Sequence, residues 1–397
     1  MSTVQTSMIP IAKPLIGEAE ATAAARPIAS GWLTQGPEVA AFEKEFAAIV
    51  GATHACAVSN CTTALHLALL AVGVQAGDEV ITVSHSFIAT ANAVRYCGAT
   101  PVFVDIDPAT YNIRADLVDR AIGPRTKAII AVHQIGMPCD LEALVAVSKR
   151  RGVPLIEDAA CAIGAEIRVG ERWERIGLPH GEIACFSFHP RKVITTGDGG
   201  MLTTANAEYD RKFRLWRQHS MSVPDSVRHG AATVIFESYP ELGYNYRMTD
   251  VQAAIGREQM NRLPGIVRDR RRLADRYRAA LAGIDGLEAP LEPEWARSNW
   301  QSFAVRLTGG LDQRRFMQAM LDRGIATRRG VMCAHLEPAY AIEPWATYPA
   351  GAGRQALLES ERAQDRVVLL PLYAQMTDEE QDRVLDACRD VIASGTA

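Results

Sequence analysis

Cys185-Phe186-Ser187-Phe188-His189-Pro190-Arg191-Lys192-Val193-Ile194-Thr195-Thr196-Gly197-Asp198-Gly199-Gly200-Met201-Leu202 joins two apolar runs through a lysine and a glycine cluster. It begins apolar and β-rich, as a buried strand does. Pro190 breaks it, Lys192 follows, and a glycine cluster forces a sharp turn. Residues 200–204 read as the returning strand, so Lys192 sits on a loop whose ends the core fixes. Lysine is scarce here, at positions 13, 44, 127, 149, 192 and 212, while arginine supplies most of the positive charge. An amine can lose its proton and attack a carbonyl; a guanidinium cannot. A surface ammonium beside a turn is the bland alternative for any single lysine, so its neighbours must decide.

Working outward, strand-like runs at 54–58, 79–83, 101–105, 127–132, 153–157, 182–187 and 200–204 alternate with helix-like runs at 62–72, 87–97, 115–122 and 140–151. Such alternation predicts an α/β fold whose mostly parallel sheet is covered on both faces. Upstream lie an extended arm over 1–15, a helix over 18–29, a turn at Trp32-Leu33-Thr34-Gln35-Gly36-Pro37 and a helix over 39–50. Downstream, Thr249 or Asp250 caps one helix, Pro264 closes it, and a second, arginine-rich helix runs to about Ala282. A strand at 301–307 and helices at 311–324 and 378–393 then predict a smaller C-terminal α+β unit. The expected division is an arm at 1–15, a large domain at 16–260 and a small domain at 261–397.

The 397 residues are 48% apolar and 22% charged, with a formal net charge of −4, which suits a globular protein and argues against nucleic-acid or membrane partners. No basic segment followed by an apolar run marks a secretory signal, so a cytoplasmic location is expected. The eight cysteines form no CxxC pair, favouring free buried thiols over disulfides or a metal site.

Four segments fall into place around Lys192. Ser59-Asn60-Cys61-Thr62-Thr63 follows a strand and opens a helix, where free N–H groups bind phosphate or merely receive a cap. Asp158 ends an apolar strand, at the sheet edge where ligands bind, or caps the next segment. Phe87 lies just past another strand end, placed to stack on a planar ring or to pack in the core. Ser187 offers a hydroxyl to a phosphate or to the sheet. An amine, a phosphate cradle, a carboxylate and an aromatic lid are together the parts that pyridoxal phosphate (PLP) requires.

The order Asn60-Cys61-Thr62-Thr63-Ala64-Leu65-His66, then Ile156-Glu157-Asp158-Ala159-Ala160, then the Lys192 stretch, then Gly243-Tyr244-Asn245-Tyr246-Arg247-Met248-Thr249-Asp250 resembles the DegT/StrS family of fold-type I, PLP-dependent sugar aminotransferases. The likeness covers nearly the whole chain, including Ser30-Gly31-Trp32-Leu33-Thr34-Gln35-Gly36-Pro37. It implies a Schiff base on Lys192, a contact from Asp158 to the pyridine nitrogen, and stacking by Phe87. It further implies phosphate contacts from Cys61, Thr62 and Ser187, and from Asn245 of a second subunit, hence a homodimer with shared active sites. Trp32, His189, Arg247 and His335, with Arg328 and Arg329, become candidate substrate contacts. The implied reaction moves nitrogen from L-glutamate or glutamine to a keto group of a nucleotide-linked sugar, with a cyclitol-like ketone as the alternative acceptor. Sister enzymes that dehydrate sugars carry histidine in place of the lysine, and a non-catalytic homologue would show a broken motif; neither holds here. One departure stands out: Cys161 occupies a position where many relatives carry Gln or His beside the cofactor's phenolic oxygen.

Overall fold

The computed structural model describes residues 8–223, 228, 232–349 and 357–395. Helices α1 (Glu18–Ser30) and α2 (Pro37–Val50) lead into β1 (His54–Val58). There follow α3 (Cys61–Ala71), β2 (Glu79–Val83), α4 (Ala89–Tyr96), β3 (Thr100–Val104), α5 (Ala115–Ala121), β4 (Thr126–Val132), α6 (Leu141–Arg151) and β5 (Leu155–Asp158). A hairpin, β6 (Glu166–Val169) and β7 (Arg172–Arg175), precedes β8 (Ile183–Ser187), β9 (Gly200–Thr204) and α7 (Ala207–Trp216). The long α8 (Asp250–Leu281) then leads to short strands β10 (Leu287–Glu288) and β11 (Ala296–Arg297), and to β12 (Phe303–Leu307), α9 (Gln313–Asp322), β13 (Arg328–Arg329) and β14 (Ala346–Thr347). Helix α10 (Leu358–Arg366), β15 (Val367–Leu370) and α11 (Asp378–Ala393) complete the chain.

The main sheet has eight strands in the order β1-β9-β8-β5-β4-β2-β3-β14. Its pairs are parallel from β8 to β14 and antiparallel where β9 meets β8 and β1. Helices on both faces explain the near-continuous apolar runs of β2, β4 and β8. The expected α/β class and alternation are observed, with strand ends shifted by two residues at most. The sequence reading missed β14, too short to carry a pattern, and the β6–β7 hairpin, whose residues are mostly charged and only half of them exposed. The hairpin joins β11 in a separate three-stranded sheet.

One expectation is overturned. Pro264 does not separate two helices; α8 runs through it unbroken for 32 residues. An interior proline costs about 3 kcal/mol. Burial of Met260, Leu263, Ile266 and Val267 around it offsets that, at roughly 1.5–3 kcal/mol for each fully buried side chain. These residues belong to the core under the main sheet, whereas Leu273, Ala274, Tyr277 and Leu281 enter a second core with Trp300, Phe303, Phe316 and Val384. Helix α8 is therefore the beam shared by both cores. Ile9 anchors the N-terminal arm in the second core, bonded through its backbone to Gly324 and Ala326.

The start of α8 is tied to the start of α2. The buried Asp250 carboxylate accepts from the N–H groups of Gly36 (2.6 Å), Glu38 (3.1 Å) and Val39 (3.3 Å), capping α2 from over two hundred residues away. A Cβ on Gly36 would overlap the Trp32 indole, so glycine is required there. Backbone pairing of Thr34 with Thr249, and Gln35 N–H to the Met248 carbonyl (3.3 Å), seats the Trp32 loop against residues 247–249.

Candidate active site

The loop between β8 and β9 is closed by its own backbone. Phe188 donates to the Gly199 carbonyl (2.9 Å), Thr196 N–H to Phe188 (3.0 Å) and Lys192 N–H to His189 (2.8 Å). Phe188 is buried against Phe42 and Phe46, with ring centroids 5.4 and 5.8 Å away. Gly197 and Gly199 take φ of +85° and +159°, a region other residues rarely adopt, and so allow the return. The loop is braced from outside by Gln259 to Thr195 N–H (3.2 Å), Gln252 to the Asp198 carbonyl (2.8 Å) and Gln301 to the Arg191 carbonyl (2.8 Å).

Lys192 points inward, its Nζ 3.1 Å from Cys161 Sγ. Burial opposes its charge, but Cys161, Cys61 and Asp158 favour it, and the balance holds the amine above the usual lysine range. Asp158, at the end of β5, is 4% exposed. Its carboxylate accepts from Thr90 Oγ1 (2.8 Å) and Ala160 N–H (3.2 Å), and Ser86 bonds Thr90 in turn (2.8 Å). Burial still pushes it above the ordinary aspartate range. Glu157 faces the other way on β5, accepting from His133 Nε2 (3.1 Å) and from the N–H groups of His180 (3.0 Å) and Gly181 (2.9 Å). Burial opposes its charge too, yet His133, His180 and the Gly181 N–H hold it below the usual carboxylate range.

Asn60 caps α3 through its side chain, accepting from Thr63 N–H (3.0 Å). That leaves the N–H groups of Cys61 and Thr62, in the first helical turn, without intrahelical acceptors. Gly200 lies against this turn so closely that a Cβ would sit 2.5–2.8 Å from Asn60 and Cys61 backbone atoms. Ser187 pairs with Gly200 across the strands, and its Oγ accepts only a long bond from His189 N–H (3.4 Å).

These residues fit pyridoxal phosphate. The buried Asp158 carboxylate has a hydroxyl and an amide as partners but no cation in hydrogen-bond reach among the described residues, which suits a protonated ring nitrogen. The unpaired N–H groups of α3, with Thr62 and Ser187, suit a phosphate dianion. Lys192 supplies the amine.

The remaining expected residues divide. Phe87, 63% exposed, stands two residues before α4, and Asn245 is exposed on a segment paired with Gln218. Gln218 also bonds Gln35, so Trp32, Asn245 and Arg247 share one neighbourhood; Arg247 Nε is buried there without a partner. His189 is exposed at the loop, its pKa lowered by burial and then by Arg191 and Lys192. His335 is buried, its ring between Ser84 Oγ (2.6 Å) and Glu361 (3.3 Å), tying residues 333–336 to Ser84 at the end of β2, three residues before Phe87. Arg329 pairs with Glu337 (2.9 Å), and Arg328 beside it on β13 is exposed. Sequence reasoning missed Thr90, which orients Asp158, and Asn299, whose Nδ2 holds the carbonyls of Cys161 (2.7 Å) and Ile163 (2.8 Å). Thr90 follows Phe87 by three residues, a helix-start spacing that was available as a signal.

The family model of the DegT/DnrJ/EryC1/StrS aminotransferases matches residues 14–389. The chain is 37% identical over 388 residues to the spore coat polysaccharide biosynthesis protein SpsC of Bacillus subtilis, covering 97% of each. The crystal structure of the aminotransferase TlmJ from Streptoalloteichus hindustanus superposes with a TM-score of 0.87 at 35% identity, covering 98% of this chain and 100% of that one. The PLP form of the candidate sugar aminotransferase Spr1654 from Streptococcus pneumoniae gives 0.87 at 26% identity, with 98% and 99% covered.

Asp158 generates a stability prediction. Its folded-state pKa is raised, so it stabilises the cofactor-free fold while protonated, and that contribution is lost as pH rises through the folded value. Asp158→Asn removes the loss. Urea denaturation of cofactor-free protein should show wild type losing stability relative to the variant as pH rises above the ordinary aspartate range. Equal pH slopes for the two proteins would refute the uncompensated carboxylate.

Proposed function

Since the chain belongs to the DegT/DnrJ/EryC1/StrS family and is accordingly a PLP-dependent sugar aminotransferase, we propose that it moves the amino group of L-glutamate, or of glutamine, to a keto group of a nucleotide-linked sugar. The observation that carries the reading is the meeting of Lys192, Asp158 and the first turn of α3, with Lys192 Nζ 3.1 Å from Cys161 and near enough to feel the charge of Asp158.

Pyridoxal phosphate supplies an aldehyde that combines with amines and a ring that accepts electrons. The chain's residues do the rest. Lys192 Nζ would hold the cofactor's aldehyde carbon and, when free, would take a proton from the donor's Cα. Asp158, oriented by Thr90, would accept from a protonated ring nitrogen and so favour an electron-poor ring. Cys61 and Thr62 N–H groups, the Thr62 hydroxyl and Ser187 would hold the phosphate, and Phe87 would cover the ring. Cys161 stands beside Lys192 where a stronger donor is common, so it leaves the phenolic oxygen less firmly bonded.

The pocket must take two substrates in turn. The Trp32 loop packed beside residues 245–248 supports a wide entrance, and the unpaired Arg247 Nε supports recognition of the donor's carboxylate or of a diphosphate. A homodimer with shared sites completes the reading: Asn245 serves the neighbouring phosphate. Its support is an exposed apolar stretch just before Asn245, with Val234 84%, Phe236 91% and Leu242 80% exposed, together with exposed Phe87. Eight free cysteines, six of them buried, support a reducing cytoplasmic location.

Two measurements test this. L-Glutamate added to the PLP-loaded protein should convert the visible spectrum to that of the amine form, and a keto-sugar nucleotide should restore it; Lys192→Ala should slow turnover by at least ~10²–10⁴-fold. A spectrum indifferent to glutamate and glutamine refutes the donor, and restoration only by non-nucleotide ketones transfers the proposal to a cyclitol-like acceptor. Sedimentation should give a dimer that Phe236→Glu weakens together with cofactor retention; a fully loaded monomer removes Asn245 from the site.

A further inference from the structure

Lys192 Nζ and Cys161 Sγ are 3.1 Å apart, and both are presented from backbone that is held still. Asn299, itself fully buried, grips the Cys161 carbonyl, while Gln301 grips the Arg191 carbonyl beside Lys192. The contact is thus a product of two braced loops rather than of a free side chain swinging. We propose that this pair is an oxidant-driven covalent lock: peroxide joins Cys161 Sγ to Lys192 Nζ through a sulfur–nitrogen bond, and thiols reopen it.

The setting selects Cys161 among the eight cysteines. Oxidation by peroxide favours thiols that are solvent-accessible and beside a cation. Cys161 is half-buried and touches the lysine; Cys97, the other cysteine that is not buried, ends α4. Cys61 and Cys185, which border the same site, are buried, and burial pushes both thiols far up. They are poor competitors for the oxidant.

The chemistry closes with peroxide alone. Cys161 sulfur attacks one oxygen of hydrogen peroxide, the O–O bond breaks, and sulfenic acid and water form. Lys192, an ammonium at rest, releases a proton to solvent; its lone pair then attacks that sulfur, the S–O bond breaks, and hydroxide leaves with a second amine proton as a second water. Sulfur loses two electrons and peroxide gains them. The locked amine is no longer a nucleophile, so it cannot attach the cofactor. Conversely, a nitrogen already double-bonded to the cofactor's aldehyde carbon has no proton to give up, so it cannot close a neutral sulfur–nitrogen bond with loss of water. The lock therefore closes on protein whose Lys192 is free, and pyridoxal phosphate protects against it.

The experiment treats purified protein with hydrogen peroxide, either stripped of pyridoxal phosphate or saturated with it, and maps non-reduced peptides by mass spectrometry. The stripped protein should yield the Cys161 peptide joined to the Lys192 peptide at their summed mass less two hydrogens. Dithiothreitol should separate them and restore the uptake of pyridoxal phosphate lost to peroxide. The saturated protein should show little joining. Cys161→Ser should give no joined peptide, and its uptake should be the same before and after peroxide. An unlinked Lys192 beside a Cys161 oxidised to sulfinic acid, a Cys161–Cys61 disulfide, or equal loss of uptake in Cys161→Ser would each overturn the lock. None of these readouts depends on which ketone is the acceptor.

Discussion

Across the antiparallel edge of the main sheet, Val58, Gly200 and Ser187 lie in one row, each facing the next across β1, β9 and β8. Everything at the site is measured from that row. Val58 leads into the capped start of α3; Ser187 leads into the lysine loop; Gly200 ends that loop. Since Gly200 has no Cβ, the first turn of α3 approaches the strand closely, and that turn and the lysine loop share one rigid reference. A side chain on Gly200 would push α3 off the sheet and separate the two. One strand further in, Asp158 pairs with Cys185, placing the carboxylate relative to the same strand.

This geometry gathers charges that the fold by itself does not neutralise well. Asp158 is buried with a hydroxyl and an amide for company, while Glu157, its neighbour on the same strand, is fully satisfied by His133 and two backbone amides. Alternation along β5 thus turns adjacent acids to opposite fates: one is held below its ordinary pKa by its partners, the other is held above it by burial. The Cys161–Lys192 contact belongs to the same pattern, since it sets a thiol 3.1 Å from a buried amine.

Much of this was legible in the residues. Alternating apolar runs gave the sheet, and the break at Pro190 with the glycine cluster located the lysine loop. What escaped was long-range. Asp250 capping α2, Asn299 holding Cys161, and His335 buried against Ser84 join residues over a hundred positions apart, and such pairings leave no periodic trace. Pro264 misled for a different reason: local propensity favours a break, and burial on both sides of α8 overrides it.

Lys192, and no other lysine, is the proposed attachment point for pyridoxal phosphate. Borohydride reduction of the loaded protein, followed by peptide mass mapping, tests it directly. A single reduced adduct, on Lys192, is expected. An adduct on Lys13, Lys44, Lys127, Lys149 or Lys212, or none at saturating cofactor, would contradict it.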